Sequence, residues 1–375
     1  MHIYGRAIYV DKEGIIMTTK WSFDQQFIKD VIDKGYVLLE DPKLTKSKKK
    51  NIRIDINKFQ SFLRGDYEIT PSDQRLPHNV EQLKRVMLKK MQEQYKTLGE
   101  DLILWTMDLC YNEIFTSPRK SRKTRLSIDD QADLTLENYA TNAPGYRQTA
   151  EQILSPAIIR QVQEVPDLED TSYCYYDEIT ELPFLIVNPK QAPWALNHET
   201  QHAVEELKKL EANRYFHELG PILLELLFND TLYKNQGFLN KGDYSDRIED
   251  SEETIRRLYR YFDIMLTFAQ ANFQVPTDVF LDEFSNICYA SSEEGIVDFI
   301  REEVEPSEIV DEMAYLYSYL RAIELREQIH DKKQDCIQLL EPHLTSKRFV
   351  FKPTEESFAT YRRFTQEMKS KTKKL

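Results

Sequence analysis

The chain has 375 residues, with 50 Lys and Arg against 63 Asp and Glu and a formal net charge of −13. That length supports one large or two medium domains with a substantial core, and the acidic balance argues against generic nucleic-acid binding. No run approaches the ~18 apolar residues of a membrane helix, and the start, Met1-His2-Ile3-Tyr4-Gly5-Arg6, lacks a signal-peptide core. The expectation is a cytoplasmic protein with no membrane or nucleic-acid partner.

In chain order, helical periodicity dominates. Residues 23–34 carry Phe23, Phe27, Ile28, Val31 and Ile32, residues 79–97 repeat the amphipathic spacing, and 100–116 is more apolar, with Leu102, Leu104, Trp105, Leu109 and Ile114. Basic stretches at 43–53, 119–125 and 369–374 are rich in Ser or Thr and poor in stacking aromatics, so they read as solvated loops. The polar stretch 117–130 reads as a linker. It divides a mostly helical N-terminal cap, 1–130, from a catalytic region, 131–375.

Residues 146–164 predict another helix. Ser172-Tyr173-Cys174-Tyr175-Tyr176 and Pro183-Phe184-Leu185-Ile186-Val187-Asn188 then predict two short strands joined by a polar turn. Further helices are expected over 252–274, 308–340 and 353–368. Cys110, Cys174, Cys288 and Cys336 have no C-x-x-C spacing and read as reduced structural thiols. With only 10 Gly and no alternation of strands and helices, the fold class expected is mainly α with a small β-sheet beside the helix described next.

That helix carries the chemistry. His198-Glu199-Thr200-Gln201-His202 is an H-E-x-x-H pentad, flanked by Ala195-Leu196-Asn197 and Ala203-Val204-Glu205-Glu206-Leu207 with no Gly or Pro to break a helix. One helical turn separates the two imidazoles, so both can reach one Zn2+ ion while Glu199 leans toward its water. A catalytic zinc needs a third protein donor from another element. The apolar run from Tyr215 to Leu227 supplies Glu218 as that candidate, with Glu225 two turns later on the same face, placed to orient a ligand histidine. His217 competes for the same role but points about 100° away around the helix.

The pentad followed by Glu-x-x-x-x-x-x-Glu on an apolar helix resembles the thimet oligopeptidase and oligopeptidase F family of zinc peptidases, over roughly residues 170–330. The resemblance implies a zincin-like helical fold, Glu218 as third zinc ligand and Glu225 as its companion. It also implies a tyrosine hydroxyl on the oxyanion from Tyr315-Leu316-Tyr317-Ser318-Tyr319-Leu320; Tyr319 is the nearest match, with Tyr315 and Tyr317 as alternatives. The family usually carries Gly where this chain has Gln201. The implied activity is hydrolysis of short peptides in a cleft too narrow for folded proteins, with Glu199 as general base.

The strand before the zinc helix could pair with an extended peptide or simply complete the sheet. Two other functions stay open: a helical interaction protein derived from a peptidase, and a zinc hydrolase with a non-peptide substrate. The oligomeric state is not legible.

Overall fold

The computed structural model describes residues 7–10, 16–19, 25–65, 76–77, 79–112, 127–154, 162–164, 172–188, 194–210, 212–234, 251–288, 292–303, 306–332, 334–349, 351 and 354–374. A hairpin of β1 (Ala7–Val10) and β2 (Ile16–Thr19) leads into α1 (Gln25–Glu40), α2 (Lys46–Leu63), α3 (Val80–Leu98), α4 (Glu100–Asn112), α5 (Ile128–Asn142) and α6 (Pro144–Ile153). A second sheet is built from β3 (Val162–Glu164), β4 (Tyr173–Asp177) and β5 (Leu182–Val187). After it come α7 (Trp194–Lys208), α8 (Leu219–Lys234), α9 (Ser251–Gln270), α10 (Thr277–Cys288), α11 (Glu293–Glu303), α12 (Pro306–Lys332), α13 (Cys336–Leu344) and α14 (Glu355–Lys374). The fold is mainly α with small sheets, and no described helix is long and apolar enough to cross a membrane.

Several elements depart from expectation for identifiable reasons. The basic stretch 43–53 is not a loop: Thr45 caps the first turn of α2 through the Lys48 amide, and Ile52, Ile56, Phe59 and Phe62 bury one face while the lysines line the other. Stretch 119–125 lies outside the described residues, and the tail 369–374 belongs to α14. The helix expected over 146–164 stops at Ile153, and 162–164 forms β3 instead. The long helix expected over 308–340 is two, because Asp335 caps a new helix at Cys336.

The β3-β5-β4 sheet positions the rest. Its period-2 alternation splits the side chains between two cores. Phe184 and Ile186 of β5 pack on α1 and α2, with Tyr173 and Tyr175 of β4 beside them; Leu185 and Val187 face the main core that contains α7. The Phe184 ring meets Phe59 edge-on at 5.2 Å and stacks on Phe62 at 6.1 Å. Gly35 lets α1 approach: a Cβ there would lie 2.8 Å from Ile56 and 2.9 Å from Ile179.

α2 also grips the β4–β5 turn. The Glu178 amide donates to Asp55 Oδ2 at 2.7 Å, Asn51 Nδ2 donates to Glu178 at 3.2 Å, and Lys48 Nζ pairs with Glu181 at 2.6 Å. Burial of Asp55 pushes its carboxyl up to about 6, against the opposing pull of that amide hydrogen bond.

The cap expected over 1–130 is two pieces among the described residues. α1 and α2 form a satellite core on the sheet, whereas α3 and α4 pack on α9 and share the main core. The physical reason is visible in α3, whose Leu83, Met87 and Met91 stripe is buried against that core. Most of the expected linker, 117–126, lies outside the described residues.

Candidate metal centre

The pentad lies inside α7 with all of its residues buried except His202, which is partly open. α7 ends in a left-handed residue that is not glycine. Lys209 has φ 55°, and the Leu210 amide reaches back to the Glu205 carbonyl at 2.9 Å, closing the helix and reversing the chain. Tight turns over 213–219 follow, with the Phe216 amide on Asn213 O at 2.7 Å and the Leu219 amide on Phe216 O at 3.0 Å. The Ile222 amide then donates to the Glu218 carbonyl, so Glu218 stands at the N-terminal end of α8, facing α7.

Two devices hold α8 close. At Gly220 a Cβ would overlap Glu205 Oε1 and lie 3.1 Å from Gln201 Nε2, so only glycine fits without displacement. From α5, the Asn138 amide donates to Asn197 Oδ1 and to the Leu224 carbonyl, both at 3.0 Å, tying α7 to α8 in a buried setting. Gln201, where the resembled family usually has Gly, joins the same scaffold. It accepts from Tyr139 at 2.8 Å and donates to Glu205 at 2.9 Å, one step around the helix from the histidines.

These constraints bring His198, His202 and Glu218 together, with one ligand-type atom from each within 4.8 Å of the others. Glu218 Oε2 lies 3.1 Å from His198 Nε2 and 3.4 Å from His202 Nε2. Donors around a tetrahedral zinc at ~2.0–2.1 Å stand about 3.3–3.4 Å apart, so the spacing suits a metal ion. Glu218 Oε2 is also buried without a well-aligned hydrogen bond, which a cation between the three groups would satisfy. Behind the ligands, His198 Nδ1 stands 3.4 Å from Glu225 Oε2, the place the orienting role requires. The cluster could therefore hold a metal ion.

The charges of the cluster are strongly coupled. Burial would lower the His198 imidazole, but the neighbouring carboxylates of Glu218 and Glu225 outweigh it and push its pKa up to about 9. His202 is likewise raised, burial being outweighed by the Glu218 charge. Burial opposes ionisation of Glu218 as well, yet the histidines around it, His202 foremost, hold its carboxyl well below the usual range. Glu205, buried one turn beyond His202, is pushed up to about 7 by that burial.

A cleft of about 660 Å³ opens on this cluster. One wall is residues 172–176, including β4; others are the end of α7 with Glu199, Glu205, Glu206 and Lys209, the turn with His217, and Tyr315. The tyrosine expected at the site needs correction. Tyr319 packs edge-on to Phe364 of α14 and does not line the cleft, and Tyr317 is buried against Thr106 at 3.0 Å. Tyr315 lines it, 44% exposed, its ring parallel to His198 with centroids 6.5 Å apart. The repeat of tyrosines along α12 does not distinguish them; only the neighbours brought by α14 and α4 do. Sequence reasoning had no signal for Asn138 or Gly220, whose roles depend on distant partners.

No family model matches the chain, and no curated protein matches it in sequence. Two solved structures are similar to it. One is described as PZ peptidase A with inhibitor 2, with TM-score 0.41 and 11% identity, covering 98% of this chain and 73% of that one. The other is a putative oligoendopeptidase F, with TM-score 0.39 and 12% identity, covering 92% and 71%.

Proposed function

We propose that this chain is a zinc-dependent peptidase acting on short peptides. The observation that carries the reading is the convergence of His198, His202 and Glu218, the last two lining a cleft together with Glu199. His198, His202 and Glu218 would hold the ion, and Glu225 would keep the His198 ring in register through Nδ1. Zinc bound there would supply Lewis acidity and make a water nucleophilic near neutral pH.

The remaining steps belong to the chain's own residues. Glu199 takes the proton from the attacking water and returns it to the leaving amine nitrogen as the C–N bond breaks. The Tyr315 hydroxyl donates to the oxygen that gains charge as the carbonyl becomes tetrahedral. β4 is an edge strand among the described residues and borders the cleft, the place where an extended peptide would add as a further strand whatever its side chains are. That edge favours peptides over other hydrolysable substrates. A cleft of about 660 Å³ is in the range of small-ligand pockets and suits a short peptide rather than a folded protein.

The test is metal content by mass spectrometry with peptide hydrolysis on the same preparations. Wild type should hold about one zinc and cleave, Glu218→Ala should lose the metal, and Glu199→Gln should keep it with turnover lower by ~10²-fold or more. A Glu199→Gln protein that cleaves like wild type would sink the proposal.

A further inference from the structure

Glu218 has two carboxylate oxygens, and the candidate metal centre needs one of them. Oε2 faces the pentad histidines at 3.1 and 3.4 Å. Oε1 is turned the other way, 3.0 Å from His217 Nε2. The second nitrogen of that ring, Nδ1, stands 2.8 Å from the backbone carbonyl of Arg214. A carboxylate oxygen only accepts, so the Oε1 contact is favourable when Nε2 carries the ring proton, and the ring stands between the Arg214 carbonyl and the Glu218 carboxylate. One end is anchored in the tight turns that lead into α8, the other on the neighbouring carboxylate.

A carboxylate ligand left free to rotate can offer both oxygens to one ion, and the second would occupy the position that a catalytic zinc keeps open. Hydrogen bonds from the surroundings prevent this by committing the second oxygen elsewhere, and a bond to an ionised carboxylate is stronger than one between neutral groups. His217, adjacent in sequence and outside the His198–His202–Glu218 cluster, sits on the distal oxygen instead of competing for the metal. We infer that His217 is a positioning residue, which holds Glu218 to one-oxygen coordination and so keeps the fourth metal position open. The inference rests on the metal-centre reading above.

The full chain tests it with two variants. His217→Phe keeps the bulk of the ring and removes both nitrogens; His217→Gln restores a donor near the reach of Nε2. Zinc affinity is measured by competition with a chromophoric chelator, coordination by the visible absorption of the Co2+-loaded protein, and folding by thermal unfolding of the metal-free form. Expected is a loss of about 10- to 100-fold in zinc affinity for His217→Phe, with a weaker Co2+ absorption as coordination number rises, and recovery of most of both in His217→Gln.

His217→Phe with wild-type affinity and spectrum would overturn the inference and leave the metal centre standing. Equal losses in both variants would also overturn it, because the donor would then not be what matters. A wild type that takes up neither ion would remove the metal-centre reading and this inference with it. Should His217→Phe fail to fold, His217→Ala against His217→Gln makes the same comparison.

Discussion

Gly220→Ala tests whether α8 lies as close to α7 as the site requires. In an ordinary helix this change stabilises by ~1 kcal/mol, because Ala is the better helix former. Here the added methyl would overlap Glu205 Oε1, and the tip of that side chain can yield only by breaking its 2.9 Å hydrogen bond from Gln201. Losing a hydrogen bond to a buried carboxylate costs about 1.5–3 kcal/mol, and residual overpacking adds ~1–3 kcal/mol. Set against the propensity gain, the net loss should be about 1.5–5 kcal/mol. Urea unfolding should show it as a lower midpoint with an unchanged slope. Glu205→Ala in the Gly220→Ala background should recover a good part, since it removes the group that clashes and gives the pair a measurable coupling. Zinc affinity should fall with stability, because Glu218 stands two residues before the crowded position. A Gly220→Ala protein as stable as wild type, with undiminished zinc affinity, would refute the close approach and every distance built on it.

Other outcomes follow from the same structure. Tyr315→Phe should lower kcat by ~10²-fold with zinc content unchanged, while Tyr319→Phe, away from the cleft, should leave kcat near wild type; the reverse pattern would restore the Tyr319 assignment. Asp55 is raised from 3.8 to about 6 in the fold by burial. Stability from protonated Asp55 is therefore fully present below about pH 4 and lost as pH rises through about 6. Asp55→Asn, which keeps an acceptor for the Glu178 amide, should thus raise the urea midpoint at pH 7.5 by about 1–3 kcal/mol equivalent and leave it unchanged at pH 4. Arg326 clamps Asp230 through two bonds at 2.6 and 2.8 Å, both residues buried. Arg326→Met should cost about 3 kcal/mol or more in unfolding free energy, and a neutral result would show that His330 alone satisfies Asp230.

The chemistry-bearing helix was the most legible element, because a pentad with two imidazoles one turn apart constrains both helix and ligand. The strands at 173–177 and 182–187 were legible for a similar reason: aromatic and branched residues around a polar turn have few other uses. α2 was hidden by its own outer face, since lysines at 48–50 conceal the Ile52, Ile56 and Phe59 stripe beneath. α5 announced itself only through a Ser127–Asp130 capping box, a local signal easily lost beside the polar stretch before it. The choice among three tyrosines on one helix depended on what packs behind each, and Phe364 and Thr106 are remote in sequence. Glu218 and His217 competed for one role in the sequence; in the fold Glu218 faces His198 with one carboxylate oxygen and His217 with the other.

The sandwiching of β4 bears on how this cleft could be redesigned. With Tyr173 and Tyr175 packed on the α1–α2 satellite, the strand is committed to the core on one side. Preference for one peptide over another is then left to the opposite wall, where Glu206, Lys209 and Tyr315 are exposed and carry little of the core. Lys209 is an inviting place to begin, because its left-handed φ of 55° is a conformation that Gly or Asn adopts more readily. Diversifying those positions separates selectivity from foldability, two properties that most clefts bind to the same residues.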